Sequence, residues 1–110
     1  MNYAGLPDHP DHALVQTYMG GRASGILNFG LNGGREAGTR FQDALNLFTR
    51  LVNIGDCKSL ACHPATTTHR QLSPAELRSA GVSEDMVRLS LGIEHADDLI
   101  ADLEQALAVA

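Results

Sequence analysis

Met86-Val87-Arg88-Leu89-Ser90-Leu91-Gly92-Ile93-Glu94 reads as a strand running straight into a helix. Val87, Leu89, Leu91 and Ile93 alternate with Arg88, Ser90 and Gly92, the two-residue period of a strand buried on one face. An arginine on the other face of such a strand is held by the sheet itself. Its guanidinium then presents paired donors in fixed geometry, which suits a carboxylate. On residue type alone, the simpler reading is a sheet-surface arginine paired with a carboxylate of its own chain.

The helix after this strand is predicted over residues 96–108. Ala96, Leu99, Ile100, Leu103, Ala106 and Leu107 form its apolar stripe. Asp97, Asp98, Asp102, Glu104 and Gln105 are expected on the wet side, with the first two suited to the positive end of the helix dipole. Upstream, Ser73-Pro74-Ala75-Glu76 is a helix start, with serine as N-cap, proline at the first helical position and glutamate closing a capping box. Further back, Ala37, Phe41, Ala44, Leu45, Phe48 and Leu51 recur at three- and four-residue steps and predict a helix over 35–51. Gln42 falls on its polar side. Asn32-Gly33-Gly34 before it reads as a turn, because the further glycines and the lysine of a phosphate loop are missing.

Strands are predicted at 26–31, at 52–54 and at 58–62, the last ended by His63-Pro64. A short helix is predicted over 11–19, stopped by Gly20-Gly21. Three or four short strands mixed with about four helices give an α+β fold: a small, mostly antiparallel sheet with helices over one face. The whole chain, 1–110, is expected to form one domain.

Composition narrows the function classes. The formal net charge is −5 with 8 Lys plus Arg, which leaves no basic footprint for nucleic acid and no polybasic attraction to a membrane. No apolar run approaches the roughly 18 residues of a bilayer span, and the N-terminus lacks the pattern of a signal peptide, so a cytoplasmic location is expected. Cys57 and Cys62 lie on opposite faces of an extended segment and are read as reduced, partly buried thiols. Five histidines invite a metal reading, but no pair has the i, i+4 spacing of a helical zinc site.

Several motifs in one order then carry a resemblance along nearly the whole chain. They are Tyr3-Ala4-Gly5-Leu6-Pro7-Asp8-His9-Pro10, Gly25-Ile26-Leu27-Asn28-Phe29-Gly30-Leu31 and Asn53-Ile54-Gly55-Asp56. After these come Ser59-Leu60, His63-Pro64-Ala65, Thr68-His69, Gln71-Leu72-Ser73-Pro74 and Val87 to Glu94. The set resembles the C-terminal domain of the Cys/Met-metabolism enzymes that depend on pyridoxal phosphate. Within that family it is nearest the O-acetylhomoserine sulfhydrylase branch rather than the γ-synthases and γ-lyases.

The resemblance implies the small domain of a fold-type I transferase. It also implies that Arg88 clamps the α-carboxylate of an amino-acid substrate, that Ser59 helps, largely through its backbone, and that His63 and His69 belong to a wall near the substrate entrance. In this family a larger domain binds the pyridoxal phosphate and supplies the Schiff-base lysine. The one lysine here, Lys58, does not stand in the family's lysine motif. Residues 1–110 are therefore expected neither to hold the cofactor covalently nor to catalyse alone. The expected partners are the pyridoxal-phosphate-binding domain or chain of the same enzyme, the amino-acid substrate and, for an isolated domain, a second copy. The alternative is a stand-alone, non-catalytic interaction or amino-acid-binding module derived from that domain. Met1 takes a place where chains of the family continue upstream, which fits an expressed domain, one half of a split gene or a truncated remnant. The sulfur donor and the acyl group of the substrate stay open.

Overall fold

The computed structural model describes residues 1–110. In chain order the elements are α1 (His12–Met19), β1 (Ile26–Gly30), α2 (Gly34–Ala44), β2 (Thr49–Arg50), β3 (Leu60–Cys62), α3 (Pro74–Ser79), β4 (Met86–Ser90) and α4 (Ala96–Leu107), with a single 3-10 turn at Pro64–Thr66. The strands form one sheet in the order β1-β4-β3-β2. β4 is antiparallel to both neighbours, and only the two-residue edge strand β2 runs parallel, to β3. This is the predicted α+β arrangement with a mostly antiparallel sheet.

Register decides what each face carries. Leu27 pairs with Leu89, and Phe29 with Val87; Ala61 pairs with Leu89 from the other side. These residues look into one core with Phe41 from α2 and Leu99 and Ala106 from α4, so both long helices cover this face. Phe29 and Phe41 meet edge to face at 5.6 Å, a favoured aromatic geometry. The opposite face carries Asn28, Arg88 and Cys62 in one cross-strand row, and Ile26, Ser90 and Leu60 in the next.

The capping box at Ser73 forms as predicted: Ser73 Oγ accepts the Glu76 N–H, and the Glu76 carboxylate accepts the Ser73 N–H at 2.8 Å. Gly33 and Gly34 turn into α2 at φ 111° and 64°, a region open to glycine and strained for other residues.

Four expectations fail. The helix predicted to Leu51 stops at Ala44, and Leu45 is extended. The chain is drawn off there by Asp102 of α4, whose carboxylate accepts the N–H groups of Asn46, Leu47 and Phe48 at 2.9, 2.8 and 3.1 Å. Asp102 is therefore buried, not on the wet side. Phe48 still reaches the core, but from a bent segment leading into β2, so the strand predicted at 52–54 lies three to four residues too far along. Gln42, placed on the polar side of its helix, is also buried, and its amide donates to Ala61 O at 3.2 Å. A hydrophobic period cannot register a polar side chain that is buried because a specific backbone group needs it.

Gly38 gives a first test of the packing. Alanine inside a helix ordinarily stabilises by about 1 kcal/mol over glycine. A Cβ at Gly38, however, would lie 2.3 Å from His63 Nε2. The ring cannot swing away, because Nε2 donates to Glu84 O at 2.8 Å and Nδ1 meets Thr66 Oγ1 at 2.9 Å. Overpacking of this kind costs about 1–3 kcal/mol. Gly38→Ala is expected to lower the urea midpoint, the reverse of the helix-propensity sign. A raised midpoint would show that the His63 ring yields freely.

Candidate active-site surface

β4 is paired along both edges at Arg88, with Asn28 on one side and Cys62 on the other. The arginine therefore leaves a backbone that cannot shift without breaking two ladders. Its guanidinium does not meet a carboxylate of its own chain. Nη2 donates to the carbonyls of Val52 and Asn53, the latter at 3.3 Å. Nε is buried and has no acceptor at all. A buried guanidinium N–H without an acceptor carries a desolvation cost, while Nη1 makes no bond within the chain.

Val52 to Ser59 form an irregular strap lying over the face of the sheet that carries Arg88 and Ser90, exposed as far as Lys58. Alternate residues of the 88–94 stretch fasten it in order. Arg88 takes the carbonyls of 52 and 53; Ser90 Oγ accepts the Gly55 N–H at 3.0 Å. At Gly92 the strap passes so close that a Cβ would sit 2.3 Å from Cys57 O, and Ile93 N–H donates to that same carbonyl at 3.0 Å. At the end Glu94 accepts both the N–H and the hydroxyl of Ser59, each at 2.7 Å.

Those two bonds, the backbone one first, hold the Glu94 carboxyl below its ordinary range. The neighbouring Asp56 is lowered too, chiefly by the Lys58 N–H.

Ser59 is placed differently from what the resemblance implies. It is fully buried, its N–H and hydroxyl are committed to Glu94, and its Oγ also accepts the Gly92 N–H at 2.8 Å. It stands at the Gly92–Glu94 end of the strap, while Asn53 stands beside the arginine. Asn53 is exposed, and neither its own N–H nor its side-chain amide bonds within the chain. Sequence reading gave Asn53 no site role because a residue in a non-repeating strap leaves no periodic signal.

His63 does not line an entrance. It is a fully buried core histidine held by Thr66 and Glu84 O, and Gly38 packs on its ring. His69 is half-buried and bonds its neighbour Thr68 at 2.7 Å. Both cysteines are free; Cys57 is exposed rather than partly buried, and Cys62 is buried.

Two further surfaces complete the picture. An apolar groove of about 660 Å³ lies between α4 and the β1–β4 side of the core, lined by Leu27, Leu31, Leu91, Ile100, Leu107 and others, with no polar side chain. No group of three or more His, Cys, Asp or Glu residues is placed to hold a metal ion, and no helix is long and apolar enough to cross a membrane. The residues present do not fit pyridoxal phosphate. Lys58 is exposed on the strap and lines none of the principal pockets, and the roomiest pocket offers nothing polar to a phosphate.

Against known proteins, the profile of the family described as Cys/Met metabolism PLP-dependent enzyme matches residues 1–108. O-acetyl-L-homoserine sulfhydrylase 1 of Thermus thermophilus is 55% identical over 98% of this chain and 26% of its own length. L-methionine gamma-lyase of Pseudomonas putida is 47% identical over 97% of this chain and 27% of its own. A Campylobacter jejuni structure described as an O-acetylhomoserine (thiol)-lyase, carrying a pyridoxyl-lysine phosphate group, superposes with a TM-score of 0.85. It is 44% identical and covers 96% of this chain and 25% of its own. The chain thus spans about a quarter of the length of the relatives it matches.

Proposed function

Because the chain belongs to the Cys/Met metabolism family of pyridoxal-phosphate-dependent enzymes, we propose that residues 1–110 form the substrate-side domain of an O-acetylhomoserine sulfhydrylase-like transferase. In this reading Arg88 anchors the α-carboxylate of O-acetylhomoserine. The observation that carries the reading is the Arg88 guanidinium on a strand paired along both edges: it meets no carboxylate of this chain, and Nη1 makes no bond within it. A carboxylate oxygen there would form a charge-assisted bond, the strong kind. Asn53, with its unengaged N–H and amide, supplies the second contact. Ser59 contributes by fixing the strap, since its own donors already serve Glu94.

The cofactor belongs to a partner portion, in the same polypeptide or another. When bound there it supplies the electron sink for elimination and replacement at the γ-carbon. This chain's part is to bind and orient the amino acid. The apolar groove beside α4 supports the same view: a patch of this kind is uncommon on a protein that works alone, and the cofactor-bearing portion is the natural cover for it.

The test is a chimera in which residues 1–110 replace the matching segment of the Thermus relative. An active, pyridoxal-phosphate-loaded chimera is the expected result. In it, Arg88→Ala should raise KM for O-acetylhomoserine by about tenfold or more, the loss of a charge-assisted pair worth about 1.5–3 kcal/mol, while kcat changes little. An unchanged KM refutes the anchoring role. A second reading, a stand-alone module, rests on the same groove. There the isolated chain pairs two copies through Ile100 and Leu107. Light scattering of the 110-residue chain decides it: a monomer at high concentration removes the second reading.

A further inference from the structure

We propose that Glu94 is a positioning residue for the Arg88 site, acting at a distance by fastening the strap that carries Asn53. The inference rests on the reading of Arg88 as the carboxylate anchor and extends it to a residue that touches no substrate.

The argument starts from how little else holds the strap. Residues 52–58 are exposed and belong to no helix or strand. Their place depends on what the 88–94 stretch offers at every second residue. Three attachments lie beyond the arginine and involve side chains. One is the neutral bond from Gly55 N–H to Ser90 Oγ. A second is the neutral bond from Gly92 N–H to Ser59 Oγ at 2.8 Å, and the third is the pair of hydrogen bonds from Ser59 to the Glu94 carboxylate, both at 2.7 Å. Bonds to an ionised acceptor are roughly twice as strong as neutral ones, so the far end is the firmer attachment.

Ser59 is also tied into the sheet, because its carbonyl accepts the Thr49 N–H of β2 at 2.9 Å. The strap is thus held at two ends: at Ser59, and at Leu51, whose N–H donates to Ala61 O of β3 at 3.2 Å, with the guanidinium on the carbonyls of Val52 and Asn53 just beyond. Loosening the Glu94 end gives the exposed segment freedom, and Asn53 loses its fixed place beside the guanidinium, where its carbonyl accepts from Nη2. A substrate carboxylate must then order the strap as it binds, which weakens binding without touching the chemical step.

The experiment uses the active chimeric enzyme and reads KM for O-acetylhomoserine separately from kcat. Glu94→Ala is expected to raise KM about fivefold, with kcat within about twofold, the size of coupling found between residues of one network. Glu94→Gln should recover most of the loss, since its amide oxygen accepts the Ser59 N–H and its NH2 donates to Ser59 Oγ. Ser59→Ala, which keeps the N–H to Glu94, should shift KM in the same direction by less and serves if Glu94→Ala does not fold. In an Arg88→Ala background, Glu94→Ala should add nothing further. A raised KM with Arg88→Ala beside an unmoved KM with Glu94→Ala overturns the positioning role alone. So does a Glu94→Ala effect that persists in full without Arg88. An unmoved KM with Arg88→Ala overturns the carboxylate reading, and the role of Glu94 with it.

Discussion

Asp102→Ala is expected to destabilise the fold by about 2–3 kcal/mol, because it strips three consecutive backbone N–H groups, the one at Phe48 buried, of a shared charged acceptor. The carboxylate takes the N–H groups of Asn46, Leu47 and Phe48 and, at 3.0 Å, the amide of Gln105. It is the device that ends α2, brings Phe48 into the core and joins α2 to α4. Burial pushes its carboxyl upward, but the bonds from Asn46, Phe48, Leu47 and Gln105 outweigh burial and hold it below its ordinary value.

The sign for pH follows from that depression. The folded form binds the proton less readily than the unfolded chain, where an aspartate titrates near about 3.9. The stabilisation is fully present above that value and is lost as pH falls through the lower, folded value. Glu94, Asp56 and Glu76 are depressed as well and contribute in the same direction. The share of Asp102 is therefore the difference between the wild-type chain and Asp102→Asn in urea midpoints measured from pH 6 down to about pH 2. The two curves should converge at the acid end. Parallel curves would mean that Asp102 titrates alike in the folded and unfolded states, and that its bonds add nothing.

That one aspartate also marks where sequence reading reaches its limit. The strands around Arg88 and Phe29, the capping box at Ser73 and the stripe of α4 were legible because each is a local pattern: a two-residue alternation, a four-residue cap, a three- and four-residue repeat. The end of α2 was not, because Phe48 and Leu51 continue the helical period after Ala44 while a side chain 54 residues or more away rewrites the backbone. The site divides in the same way. Arg88 stood out as a charge within an apolar alternation. Its neighbour Asn53 did not, because the strap has no period, and Ser59 was assigned the donor role that its bonds to Glu94 leave it unable to fill in this arrangement. The resemblance implies an entrance wall at His63, whereas its ring is enclosed between Gly38, Thr66 and the Glu84 carbonyl.

Gly92→Ala is the substitution expected to disturb fold and site together. At a position with ordinary backbone angles, alanine for glycine stabilises by about 0.4–1 kcal/mol through the unfolded chain. Gly92 has no positive φ, so that gain is open to it. Against it stand Cys57 O at 2.3 Å, Glu94 Oε2 at 2.6 Å and Lys58 C at 2.6 Å from the new Cβ. Two of these are backbone atoms of the strap, with no rotamer to move aside. The strap must lift, and lifting it stretches the Ile93 N–H bond to Cys57 O and the Ser59–Glu94 pair together. Overpacking plus a lost hydrogen bond places the cost at about 2–3 kcal/mol. Gly25→Ala is the matched control, since its Cβ would meet Leu91 O at 3.3 Å, a contact that a shift of a few tenths of an ångström relieves. Amide exchange should separate the two. Gly92→Ala should speed exchange at Ser59, Gly55 and Ile93 while the β1–β4 amides stay protected, and in the active chimera it should raise KM as Glu94→Ala does. Gly25→Ala should do neither. If Gly92→Ala leaves exchange along the strap unchanged, the strap is held by something other than its close passage over β4's extension, and the link from Glu94 to Arg88 loses its physical basis.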